Sequence, residues 1–116
     1  MGSAYIAGVK AGSTETVATV ARHFPGIGSA DRLPVFEVAT IQDAPEAMAQ
    51  KSLPPFLTVT RGRPSNLTGQ PVRTDALMSS HMRYTAYQPT GSGRVPPLGL
   101  SPALSMLIEE QGLETW

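Results

Sequence analysis

Apolar residues along this chain fall into short runs, most of them closed by Pro, Gly or Ser. Residues 3–10, SAYIAGVK, are small and apolar around Tyr5, Ile6 and Val9, which predicts a short buried strand broken by Gly12 and Ser13. Val17, Val20, Ala21 and Phe24 follow at i, i+3, i+4 and i+7, one stripe of a helix that Ser13 or Thr14 can cap and Pro25-Gly26 stop. VFEVATI (35–41) is nearly all apolar, the pattern of a strand covered on both faces. Asp43 with Glu46 three residues on makes a capping box, with Pro45 in the first turn, so a second helix is expected over 43–52.

The second half continues the alternation. Pro54-Pro55 ends the second helix by Ser52, and FLTVT (56–60) reads as a third strand. Residues 61–73 read as turns around a short edge strand near Asn66–Gly69. Asp75 can cap a helix over 76–84, with Leu77, Met78, His81 and Met82 on its inner side. Beyond 84 the texture changes. Residues 85–100 are rich in Pro and Gly and have no period, the mark of an extended arm. A last helix begins after Ser101, with Pro102 at its first position and Leu104, Leu107 and Ile108 as its stripe; Gly112 before Leu113 fits a Schellman end.

The order β-α-β-α-β-β-α over residues 3–84 resembles the thioredoxin-like fold. DAPEAMAQKSLPPFLTVTRG (43–62) is similar to that superfamily's central run, and Pro55 falls where the family keeps a cis-proline. With YIAG as first strand, the similarity is closest to KaiB-like domains. The resemblance implies an α/β fold class. A thioredoxin-like domain (1–84) would be followed by an extended linker (85–100) and a C-terminal amphipathic docking helix (101–116). Pro54 and Pro55 would then be structural, a hinge before the third strand; a plain turn with trans bonds competes with that reading. Where redox members carry Cys-x-x-Cys, this chain has VKAGSTETVA, so the redox function is absent.

Composition narrows the chemistry. There is no cysteine, which excludes disulfides, thiolate catalysis and cysteine-held metal. Nine basic and nine acidic residues cancel, so bulk charge selects neither nucleic acid nor membrane. No run of 18 apolar residues exists to span a bilayer, and MGSAYIAGVK lacks the leading charge of a signal peptide. The expected setting is cytoplasmic, or a particle assembled there. His23 and His81 read as a helix-end charge and a packed side chain, and GIGS (26–29) as a loop. No nucleophile–base pair and no metal-ligand spacing is present, so neither an enzyme nor a cofactor is expected.

One charge cluster stands out: Arg61, Arg63, Arg73, Arg83 and Arg94 face only Asp75 between residues 61 and 94, with Tyr84 and Tyr87 interleaved. Arginine suits carboxylate and phosphate, so a docking surface competes with an ordinary solvated one. The sequence therefore predicts a non-catalytic thioredoxin-like interaction subunit or adaptor. It would bind a protein partner or a second copy through Leu104, Leu107, Ile108, Leu113 and Trp116 of its C-terminal arm, together with those arginines. A structural component of a virion or other large assembly is the alternative. An arginine-rich nucleic-acid-binding accessory protein ranks third.

Overall fold

The computed structural model describes residues 1–64, 69–89 and 95–113. Ser3, Ile6, Ala7, Val9, Lys10 and Ser13 are its buried or half-buried positions near the N-terminus, most of them three or four residues apart. That is a helical stripe, and Gly2–Gly12 form helix α1 rather than the expected strand. Gly2 lets α1 approach helix α3 (Leu53–Arg61) closely, since a Cβ there would sit 3.2 Å from a Val59 methyl. The next segment is corrected in the opposite sense. Val20–Phe24 is a strand, β1, with burial alternating towards Phe24; Val17 and Val20, expected on a buried helix face, are exposed.

The expected 35–41 strand shrinks to β2 (Thr40–Ile41), leaving Val35 and Phe36 in solvent. The following helix starts where expected, with Pro45 in its first turn, but its N-cap is Ala44 and no side chain caps it. It does not stop at Ser52. α2 (Pro45–Ala47) runs through a π turn (Met48–Ser52) into α3, so 45–61 is one helical rod. Pro54 and Pro55 stand in the first turn of α3, directly after the π turn, where proline's missing N–H is best tolerated. The cis peptide bonds among the described residues are Arg22–His23 and Phe24–Pro25, so Pro54 and Pro55 follow trans bonds. FLTVT is helical because Leu53, Phe56, Leu57 and Thr60 line up at i, i+3, i+4 and i+7. The hydroxyls of Thr58 and Thr60 donate to the carbonyls of Pro54 and Phe56 (2.8 and 2.9 Å).

A short hairpin follows, β3 (Arg63–Pro64) with β4 (Pro71–Val72); the expected edge strand near Asn66 lies outside the described residues. The helix expected over 76–84 is instead two strands, β5 (Ala76–Ser79) and β6 (Arg83–Tyr84). Asp75 caps no helix. Its carboxylate accepts the Thr19 N–H (2.7 Å) and the Lys10 ammonium (2.8 Å), tying α1 to the start of β1. β1 pairs in parallel with β5, with an irregularity at His23, and β2 pairs in parallel with β6. Among the described residues the strands make three two-stranded sheets. The fold is mixed α/β, but its element order begins with a helix and departs from the expected β-α-β-α-β-β-α.

The C-terminal segment is where the largest correction falls. Residues 95–98 are not a free linker: Gln88 donates to Pro96 O (2.8 Å), Arg83 to Val95 O (2.7 Å), and Leu98 N–H to Met82 O (2.8 Å). Leu98 is fully buried within a short 3-10 turn (Leu98–Leu100). Helix α4 (Pro102–Glu110) keeps the caps read from its sequence. Ser101 Oγ accepts the Ala103 N–H, and Gly112, at φ 61°, closes a Schellman end with Leu113 N–H bonded to Ile108 O. Leu107 and Leu113 are buried with Phe24 and Leu53 of the same chain, and Leu104 and Ile108 pack on that cluster. Phe56 meets Phe24 edge-on at 5.4 Å beside them. A second cluster gathers Ala39, Ile41, Met48, Met82, Tyr84 and Leu98; a third, smaller one joins Ile6, Ala7, Val59 and Val72. With its core divided this way, the protein measures 51 × 29 × 23 Å. Among the described residues no helix is long and apolar enough to cross a membrane.

Candidate interaction surface

Residues 31–40 form a loop whose ends meet. Asp31 N–H donates to Thr40 O (3.4 Å), Thr40 N–H donates to the Asp31 carboxylate (2.9 Å), and Ala30 bridges Ile41. Inside it, Phe36 N–H bonds Leu33 O (3.3 Å), a β-turn with Pro34 at its second position, where proline's fixed φ suits it. Arg32 stands across the turn. Its guanidinium grips both Asp31 oxygens (3.2 and 3.1 Å) and reaches Glu37 (3.1 Å). The Thr40 amide and the Arg32 guanidinium hold the Asp31 carboxyl below its ordinary range.

This scaffold displays apolar side chains outward. Leu33, Val35 and Phe36 are 67%, 84% and 82% exposed. Three large apolar side chains thus stand in solvent on one turn, closer together than singly scattered surface leucines. Behind it lies a cleft of about 430 Å³, lined by Pro34 to Ala39 on one side and by His23, Ile27, Ser80, His81 and Met82 on the other.

The chain's two histidines thus line one cleft, which their separation in sequence did not suggest. His23 sits in β1 rather than at a helix end, and His81 is an exposed turn residue rather than part of a helix face. Ser80, buried in the same cleft, is already engaged: its Oγ accepts the Met82 N–H (3.1 Å). Among the described residues neither imidazole bonds to it, and no three His, Asp or Glu side chains gather as a metal site. GIGS is a turn whose Gly26 carbonyl accepts the Tyr84 hydroxyl (2.8 Å); burial pushes that phenol up to about 12, against a smaller pull from Ser80.

The residues expected to dock are elsewhere. Leu104, Leu107, Ile108 and Leu113 are spent on the chain's own core, as described above. Arg61 donates to Gln111 O (3.1 Å) at the carbonyl end of α4, a helix without a basic residue in its last turn. Arg83 holds Val95. These two arginines fasten the tail, while Arg63 and Arg73 lie exposed. Arg94 and Trp116 lie outside the described residues. The sequence did hold a signal for the 33–36 turn: opposite charges, Asp31-Arg32 and Glu37, bracket Leu-Pro-Val-Phe. No protein-family model matches this chain, and no curated protein or solved structure matches it either.

Proposed function

We propose that this protein is an interaction subunit that docks on another polypeptide through the apolar turn Leu33–Val38. One observation carries the reading: Leu33, Val35 and Phe36 stand 67–84% exposed on a turn that Arg32 and the Asp31–Thr40 closure brace. Preorganisation matters because a side chain already ordered loses little entropy on binding. Aromatic anchors in desolvated pockets commonly dominate interface energies, which assigns Phe36 the central role. Docking of this kind is apolar and should tolerate salt, unlike binding governed by phosphate contacts. The thioredoxin-like resemblance carries none of this; the reading rests on the turn alone.

The test is a photo-crosslinking residue placed at position 36 in the full chain, with position 49 on the exposed side of the π turn as control. Capture of a polypeptide from position 36 and not from position 49, abolished by Val35→Asp, is the expected result. Equal capture from both positions, or none from either, would overturn the proposal.

A further inference from the structure

The structure assigns a partner to this turn. We propose that the docking turn of one copy seats in an apolar groove of a second copy, so that the chain assembles head to tail. This rests on the docking reading above and adds the identity of the occupant. The groove, about 550 Å³, lies between α1, β1 and α3, with Tyr5, Ile6, Phe56 and Val59 in its walls.

Its third side is informative. Val17, Ala18 and Thr19, which lead into β1, and Val20, Ala21 and Arg22 of β1 itself line it. A strand presenting a face would contribute alternate residues only, whereas Val20, Ala21 and Arg22 are successive, which sets the backbone edge of β1 towards the groove. That edge has no strand partner among the described residues, since β1 pairs with β5 alone. An apolar trough beside an open strand edge suits a polypeptide, which can fill it with side chains and meet the edge with its own amides.

Charge chooses the copy. Arg22 is the one charged residue in the groove lining, is exposed, and makes no ion pair among the described residues. The docking loop carries Asp31, Arg32 and Glu37, a net single negative charge, with Glu37 next to Phe36. With Phe36 in the groove and Glu37 still paired to Arg32, the loop's net negative charge meets the unpaired positive charge of Arg22. The chain's formal net charge is zero, so copies meet without repulsion. Turn and groove share no residue, which makes the contact heterologous: each copy gives a turn and receives one, building a ring or a filament.

Complementation tests this. Phe36→Asp breaks the turn and leaves the groove; Val20→Asp breaks the groove and leaves the turn. Both positions are exposed, and circular dichroism confirms that each variant is folded. By light scattering the unmodified protein should grow with concentration beyond twice its 12.3 kDa protomer mass. Each variant alone should stay at the protomer mass, and their mixture should stop at a dimer. Arg22→Glu, which sets a carboxylate against the loop's net negative charge and leaves the turn intact, should weaken assembly at least tenfold. An unmodified protein that stays monomeric overturns the inference, as does a mixture that fails to recover a dimer or a Val20→Asp variant that still dimerises. If the position-36 crosslinker then captures a different polypeptide, the docking reading stands without this one; if it captures nothing, both fall.

Discussion

Two segments of this chain, 33–38 and 98–113, are similarly apolar, and the fold treats them oppositely. Leu98 and Leu107 are 0% and 2% exposed; Val35 and Phe36 are 84% and 82% exposed. Apolar content does not separate them. Backbone hydrogen bonding does. The carbonyls of Val95 and Pro96, which lead into the tail, and of Gln111 near its end are taken up by Arg83, Gln88 and Arg61 from the body of the protein, leaving the Tyr87 hydroxyl as the buried polar atom without a partner beside the tail among the described residues. The loop satisfies its backbone within itself, through Asp31, Thr40 and the Leu33–Phe36 turn, and nothing draws it inward. Burial follows where a segment's amides and carbonyls find partners as much as where its side chains would prefer to be.

The sharpest way to break this comparison is truncation. Ending the chain before Val95 removes Leu98, Leu107 and Leu113 from the core. At about 1.5–3 kcal/mol per buried side chain that is roughly 5–9 kcal/mol, comparable with the whole stability of a small domain. The truncated protein should be unfolded by circular dichroism. A cooperative melt near that of the full chain would mean that the tail is dispensable and the contrast false.

Point substitutions give the same contrast at smaller scale. Leu107→Ala should cost about 2–5 kcal/mol, because it opens a cavity between Phe24 and Leu53. Phe36→Ser should change stability by no more than about 0.5 kcal/mol, as exposed substitutions usually do. Urea denaturation of the two side by side decides the matter; equal losses would show that Phe36 is packed in solution.

Tyr84 joins the two regions. Its amide is held by Gln88 (2.8 Å), which also grips the tail, and its hydroxyl by Gly26 ahead of the loop. Burial raises its pKa to about 12, so the folded state favours the neutral phenol. The resulting stability is intact below about 10, the value of an unfolded tyrosine, and is lost as pH climbs towards 12. Tyr84→Phe should cost about 1 kcal/mol at neutral pH for the missing hydrogen bond, and should flatten the alkaline loss. An unchanged alkaline profile in that variant would place the titration elsewhere.

The sequence was legible where local chemistry and tertiary context agree. In α4, Ser101, Pro102 and Gly112 specify the ends and Leu104, Leu107 and Ile108 the face, and all appear as read. The 45–61 rod shows the converse. Val59, Thr58 and Thr60 favour strands in general, but β propensity reports packing on a sheet, and this chain offers no sheet there. The Leu53, Phe56, Leu57, Thr60 spacing carried the helix, and two prolines disguised it. The exposed turn was hidden for another reason: VFEVATI has a strand's composition, and only the bracket of Asp31-Arg32 and Glu37 distinguishes a turn held outward from a strand turned inward.

That bracket yields the smallest effect and the most specific one. Asp31 is held below the ordinary aspartate value of 3.8, first by the Thr40 amide and then by Arg32. A depressed carboxyl contributes in its ionised form, so the contribution is present above that value and fades as acid takes pH down through the folded pKa. The ion pairs are solvent-exposed, so Arg32→Ala should leave global stability essentially unchanged. What should change is the order of the turn. In hydrogen exchange, the Thr40 and Phe36 amides, bonded to Asp31 and Leu33 respectively, should lose protection in Arg32→Ala at neutral pH. In the unmodified protein they should lose it only on acidification below about 4, the unshifted range of a carboxylate. Amides of α4 should be indifferent to both. If they open together with the loop, the two segments form one cooperative unit, and the difference between them is one of exposure alone.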